Sequence, residues 1–199
     1  MTQFNEDEDI LWYFGGRVGR FLDVGAGDGL RYSNTEPLLR AGWSGVMIEP
    51  AISQLRWLIQ NHGKNERVEI IPAALLTSED PDGVYVLRDG GDYSSFSLAH
   101  AEKISKHSNG NVTFRERKAA CIHWGDVFGC FEFINIDVEG MNTELLRELP
   151  FERLKPEMIC IEIDPESDLP EMMDICNRNG LGYAKRVGGN LLCARKEIR

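Results

Sequence analysis

Phe21-Leu22-Asp23-Val24-Gly25-Ala26-Gly27-Asp28-Gly29 decides the fold of this chain, together with Val46-Met47-Ile48-Glu49-Pro50. The first stretch is an apolar strand running into a turn built on Gly25, Gly27 and Gly29. The second is an apolar strand that ends in an acid. A glycine-rich turn after the first strand of a βαβ unit lets a ligand lie against bare backbone, and an acid closing the next strand can take both hydroxyls of a ribose. The glycine pattern alone is weak; the strand before it, the helical segment after it and Glu49 make it much stronger. The competing reading, in which the glycines only shape a tight strand-to-helix turn, leaves Asp23 and Glu49 without a role.

Local charge narrows the ligand. A dinucleotide loop receives a pyrophosphate at a helix N-terminus, but here Asp23 sits just before the turn and Asp28 within it, and both would repel one. S-adenosylmethionine carries no phosphate; it has a sulfonium, an ammonium, a carboxylate and a ribose. Asp23 suits a cation through a charge-assisted hydrogen bond, and Glu49 suits the ribose. Glycine at 25 and 27 permits close approach and unusual backbone angles. Valine at Gly25 is therefore expected to abolish cofactor binding in a chain that still folds.

The chain has 199 residues, enough for one well-cored domain, and residues 1–199 are read as one. No apolar run is long enough to span a bilayer, and the acidic start, MTQFNEDEDI, does not resemble a secretory signal. A formal net charge of -10 disfavours nucleic-acid and anionic-membrane partners. The basic residues Lys103, Lys106, Arg115, Arg117 and Lys118 read as a solvated face. Five cysteines, with no Cys-x-x-Cys pair, look like reduced thiols of a cytoplasmic protein. The four histidines lack metal-ligand spacing and read as surface or packing residues.

Hydrophobic periodicity predicts an amphipathic segment over Asp7 to Phe14 and strands over Phe21 to Val24, Trp43 to Ile48 and Val68 to Ile71. It predicts helices ending near Gly42 and over Ile52 to His62. Val84 to Leu87 and Val112 to Phe114 look like strands flanking a polar loop, Asp89 to Ser97. Further strands are expected over Phe131 to Asp137 and Met158 to Ile163, and helices over Thr143 to Leu149 and Leu169 to Arg178. A closing hairpin joins Tyr183–Val187 to Leu191–Ala194. The fold class is α/β and Rossmann-like: a mostly parallel seven-stranded sheet with an antiparallel terminal hairpin and helices on both faces. Ligands gather at the carboxyl ends of such strands, where Asp23, Glu49, Asp137, Glu139, Glu162 and Asp164 all fall. So many acids at one rim are not there for packing, because unpaired buried carboxylates are costly.

At this point the chain resembles the FkbM family of S-adenosylmethionine-dependent methyltransferases, which belong to class I. Gln3-Phe4-Asn5-Glu6-Asp7, the loop from Leu22 to Gly29 followed by Ser33-Asn34-Thr35, Gly42-Trp43-Ser44-Gly45, Ile48-Glu49-Pro50 and Ile136-Asp137-Val138-Glu139-Gly140 carry the resemblance. It implies methyl transfer from S-adenosylmethionine, typically to an oxygen of a sugar or other hydroxylated metabolite. The cofactor set it implies is Asp23, Gly25, Ala26, Gly27, Gly29, Ser33, Glu49, Pro50 and Ala74, with Asp137 and Glu139 as catalytic residues. The expected partner is a small-molecule or glycan acceptor; oligomeric state stays open.

In such a reaction the enzyme must align the acceptor, exclude water and help remove its proton. Asp137 and Glu139 are two apart, so a regular strand would turn both to one face. The competing reading makes Asp137 a helix N-cap and Glu139 a partner for an arginine. A divalent cation is an open variant, since Asp137, Glu139, Glu162 and Asp164 offer hard oxygen ligands; no metal is assigned. The segment from Asp89 to Lys118, long and serine-rich, is expected to cover the acceptor site. Two rivals stand beside this reading: a catalytically silent Rossmann-like cofactor-binding or scaffold module, and a nicotinamide oxidoreductase, against which the acids around the loop speak.

Overall fold

In the computed structural model, residues 2, 4–78, 84–95, 98–108 and 111–198 are described; Gln3 and residues 96 and 97 of the polar loop lie outside them. In chain order the elements are α1 (Glu6–Phe14), β1 (Arg20–Val24), α2 (Glu36–Arg40), β2 (Ser44–Ile48), α3 (Ile52–His62), β3 (Val68–Ile71), β4 (Ala74–Leu76), β5 (Val84–Asp89), α4 (Leu98–His107) and β6 (Arg115–His123). They continue with β7 (Phe133–Ile136), α5 (Asn142–Glu148), α6 (Phe151–Leu154), β8 (Met158–Glu162), α7 (Leu169–Arg178), β9 (Tyr183–Val187) and β10 (Asn190–Ala194).

The inner strands β1, β2, β7, β8 and β10 are apolar and buried at most positions because both faces of the sheet are covered there. Side chains alternate between the faces. Leu22, Val24, Ile134, Ile136, Ile159 and Ile161 pack with Leu145 and Leu146 of α5 and Met172 and Ile175 of α7. Phe21, Met47, Phe133 and Cys160 pack with Ile10 and Phe14 of α1, Leu38 of α2 and Leu58 of α3. The order of this seven-stranded sheet is β3-β2-β1-β7-β8-β10-β9. Strands β3, β2, β1, β7 and β8 are parallel, and the closing β9–β10 hairpin is antiparallel. The chain leaves β1 for β2 on one side and returns to β7 on the other, so the carboxyl end of β1 is the topological switch point where a ligand crevice forms.

Between β3 and β7 the chain builds a second sheet, order β4-β6-β5, that the sequence reading did not foresee. The expected strand at Val112 to Phe114 begins instead at Arg115, because β6 pairs with β5 from Val84↔Ala120 to Asp89↔Arg115. That edge ribbon leaves residues 115–118 exposed, so its polar sequence hid the strand. Helix α4 stands inside the stretch read as the acceptor-side loop, with Ala101 buried and Glu102, Lys103 and Lys106 outward. The described residues between Asp89 and Lys118 thus include a 3₁₀ turn, helix α4 and the start of β6.

Candidate active site

The glycine turn is held by backbone before any side chain contributes. Gly25 and Ala26 N–H groups donate to the Ile48 carbonyl at 3.0 and 3.1 Å, folding the turn over the end of β2. Gly25 has φ +84, and a Cβ there would stand 1.8 Å from the Asp137 carbonyl oxygen. The demand for glycine at 25 is thus the crossing of β1 and β7, which corrects the expectation that valine there spares the fold. Gly27 has φ +58 with nothing within 4 Å of a built Cβ, and it lines the crevice. Gly29 does not line it: a Cβ at φ +72 would meet Leu58 and His62 of α3 at 2.6–2.8 Å. It is a packing glycine, and its place in the predicted cofactor set is corrected accordingly.

The crevice, about 270 Å³, opens at the ends of β1, β2 and β7 and brings together Asp23, Gly25, Ala26, Gly27, Ser33, Glu49, Pro50, Ala74, Asp137 and Glu139. Asp164 does not line the crevice and pairs with Lys103 at 3.3 Å.

Asp23 is enclosed, accepting from Thr35 Oγ1 at 2.5 Å and Asn135 Nδ2 at 2.9 Å. Burial raises its carboxyl above the usual range, against those two donors. Glu49, 5% exposed, accepts from the Gly27 N–H at 2.8 Å and the Ala51 N–H at 2.7 Å. Burial, helped by the charges of Asp23 and Asp89, pushes it up to about 7. Glu49 thereby ties the glycine turn to the start of α3. Asp28 differs: burial opposes its ionisation, but Arg31 and the N–H groups of Leu30 and Arg31 outweigh that and hold it below the usual range.

Three carboxylates, Asp137, Glu139 and Glu162, each bring an oxygen within 4.8 Å of the others. Burial and the charges of Glu162 and Glu139 lift Asp137 well above the carboxylate range. Its neighbour Glu162 is likewise raised, by burial and by the charge of Glu139. The pair titrates as a unit. Asn142 fixes this corner: it accepts from the Val138 N–H at 2.9 Å and donates to Glu162 at 3.1 Å. The cap position of α5 is Met141, so Asp137 is not its N-cap. The hard oxygen set of Asp137, Glu139 and Glu162 is of the kind that Mg²⁺, Ca²⁺ or Mn²⁺ accepts.

A family model, the methyltransferase FkbM domain, matches residues 23–183, which span the glycine turn, the acid cluster and the insertion between them. The chain belongs to the FkbM methyltransferase family. Among solved structures, an FkbM methyltransferase from Methylobacillus flagellatus KT superimposes with TM-score 0.50 at 14% identity over 89% of this chain and 43% of that one. A ribosomal protein L11 methylase from Lactobacillus delbrueckii subsp. bulgaricus gives 0.52 at 13% identity, covering 96% and 78%. The METTL16 methyltransferase domain gives 0.52 at 8% identity, covering 98% and 66%. These likenesses show the Rossmann-like class I methyltransferase fold. No curated protein matches the chain.

In this FkbM domain the insertion reaches back over the crevice. Asp89, at the end of β5, accepts from Ser53 Oγ of α3 and lies 3.4 Å from Arg117. Six residues on, Ser95 Oγ donates to the Glu139 carbonyl at 2.7 Å. The stretch between, with a 3₁₀ turn at Gly91–Tyr93, forms part of the crevice wall through Gly91, Tyr93 and Ser94. The sequence pointed to this segment as a cover for the site but not to the residues that anchor it, Asp89 on Ser53 and Ser95 on Glu139. Sequence reasoning counted Glu162 among the rim acids and possible oxygen ligands but left Asn135 and Asn142 out of the site. A buried asparagine inside the apolar run Phe133–Ile136 was the available signal.

Proposed function

We propose that this FkbM-type chain binds S-adenosylmethionine in the crevice and methylates a hydroxyl oxygen of a sugar or other hydroxylated small molecule. The observation that carries the reading is the juxtaposition of Gly27, with open space where a side chain would stand, and the Glu49 carboxylate 2.8 Å from its N–H. A ribose fits there with its hydroxyls on Glu49. Asp23 and Asp28 make the same turn hostile to a pyrophosphate. Ala26, Pro50 and Ala74 supply the uncharged wall, and Asp23 and Ser33 stand at the side of the crevice where β1 meets α2. Bound there, S-adenosylmethionine supplies an electrophilic methyl group on a positive sulfur.

The residues of the chain supply the rest. The acid cluster takes the proton of the acceptor hydroxyl: Asp137, Glu139 and Glu162 bring carboxylate oxygens within 4.8 Å of one another. A positioned base of this kind contributes about 10²–10⁴-fold, and alignment by the surrounding walls contributes at least as much. The 89–95 strap keeps water from the acids. With a net charge of -10, an uncharged small molecule or glycan suits the chain better than a nucleic acid or an anionic membrane.

The test is incubation with methyl-labelled S-adenosylmethionine and a set of hydroxylated acceptors, followed by analysis of the labelled product. Label on an acceptor oxygen supports the reading. Cofactor binding without transfer to any hydroxyl would replace it with a silent binding module.

A further inference from the structure

Beside the crevice lies a second cavity, about 430 Å³, between α3 and the insertion. The two adjoin, since Arg31, Gln54, Gly91 and Tyr93 line both. The chemistry of their walls differs. The crevice is ringed by carboxylates, whereas the described residues that line the second cavity include none. Its wall carries two aromatic side chains, Trp57 and Tyr93, at 44% and 43% exposure. Around them stand the neutral hydrogen-bonding side chains of Gln54, Asn111 and Thr113. Among the described lining residues the cation is Arg31, which is already held by Asp28 at 2.8 Å.

Large aromatic side chains left exposed in a concave site serve recognition rather than folding. A ring face with amides and hydroxyls at its edge matches a pyranose, which presents an apolar C–H face and a rim of hydroxyls. A polyanion finds little here, because neutralising phosphates requires several available cations. Trp57 is braced for contact: the Arg56 guanidinium lies 4.7 Å from its ring centroid, a cation–π arrangement that restrains the indole at the surface.

We propose that this second cavity is an acceptor-recognition subsite that holds a neutral sugar unit against Trp57 and Tyr93 while a neighbouring hydroxyl reaches the crevice. The assignment rests on the reading of the crevice as a methyl-transfer site for hydroxylated acceptors, and it adds where the rest of that acceptor is gripped. Selectivity for the acceptor then lies in the aromatic and amide wall contributed by α3 and the insertion, apart from the acid cluster.

Saturation-transfer NMR on the full chain tests it, with S-adenosylhomocysteine present and methyl α-D-glucopyranoside, methyl α-D-mannopyranoside and methyl α-D-galactopyranoside as probes. Transfer to the ring protons of at least one glycoside is expected. Trp57→Ala should weaken that glycoside's binding about tenfold, the scale of one lost aromatic contact, and Asn111→Ala should weaken it by a smaller factor. Both variants should keep S-adenosylhomocysteine affinity within about twofold of the parent, which reports an intact fold. No transfer to any of the three glycosides, or equal transfer in parent and both variants, overturns the proposal. Binding of decauridylate in place of the glycosides overturns it in favour of a nucleic-acid acceptor. Failure of the cofactor reading shows separately, as no S-adenosylhomocysteine binding by the parent.

Discussion

The Ser95 hydroxyl donates to the Glu139 carbonyl at 2.7 Å, fastening the inserted sheet to the turn that carries the acid cluster. With Asp89 held by Ser53 at the other end, the strap is anchored on both sides of the crevice. Ser95 is 1% exposed, so Ser95→Ala should remove about 1 kcal/mol of local stability. Faster proteolytic cleavage between residues 89 and 118 is expected, with S-adenosylhomocysteine slowing it in the parent. Cleavage indifferent to both the substitution and the ligand would contradict a covering role for this segment.

Glu49 gives a pH signature. Its carboxyl is raised from 4.5 to about 7, first by burial. Because the folded value lies above the ordinary one, the group favours the folded state fully below pH about 4.5, and that contribution is lost as pH rises through about 7. A ligand whose ribose hydroxyls need the ionised form follows the opposite trend. S-adenosylhomocysteine affinity should rise between pH 6 and 8, by at most about tenfold per unit, with proton release on binding. Glu49→Gln should flatten that rise, and Glu49→Ala should weaken binding by roughly 1–3 kcal/mol. Calorimetry in buffers of different ionisation heat reads both effects; a pH profile unchanged in Glu49→Gln would remove Glu49 from the ribose site.

The two turn glycines should separate folding from binding. Gly25→Ala places a methyl group 1.8 Å from the Asp137 carbonyl oxygen, so the turn must move and a loss of more than about 2 kcal/mol of stability is expected. Gly27→Ala meets open space and costs about 1–2 kcal/mol for its positive φ, but it narrows the approach to the crevice. Thermal melts and cofactor titration of both variants check this. A Gly27→Ala protein that binds like the parent would place the cofactor elsewhere.

The main sheet was legible because its signals are local. Phe21 to Val24, Phe133 to Ile136 and Met158 to Glu162 are apolar runs closed by acids, and β9 and β10 flank an evident turn. The insertion was illegible because its signals are not. The exposed Arg115–Lys118 run forms a strand only through pairing with β5, and α4 follows the polar loop where no helix was expected. Strand-end position brought Asp23, Glu49 and Asp137 to the crevice wall. It could not tell that Gly29 packs on α3, that Asp164 turns to Lys103, or that Glu162 joins Asp137, because those outcomes depend on side-chain direction.

The acid cluster should affect rate more than cofactor affinity. Asp137→Asn keeps the shape and removes the titrating group, so it should bind S-adenosylhomocysteine nearly as the parent does. Turnover should fall by about 10²–10⁴-fold. Glu162→Gln leaves Asp137 without its charged partner and should also slow turnover, by a smaller factor. Single-turnover rates with a working acceptor decide between roles. Loss of affinity in proportion to rate would move Asp137 to the cofactor wall; full activity would leave Glu139 as the base.

Isothermal titration of the purified chain with S-adenosylmethionine, S-adenosylhomocysteine and NAD reads the central claim most directly. Saturable binding of the first two at one site per chain is expected, lost or strongly weakened in folded Glu49→Ala, with no heat from NAD. Binding of NAD, or no binding of either sulfur ligand by the folded parent, would contradict the assignment of the crevice to S-adenosylmethionine.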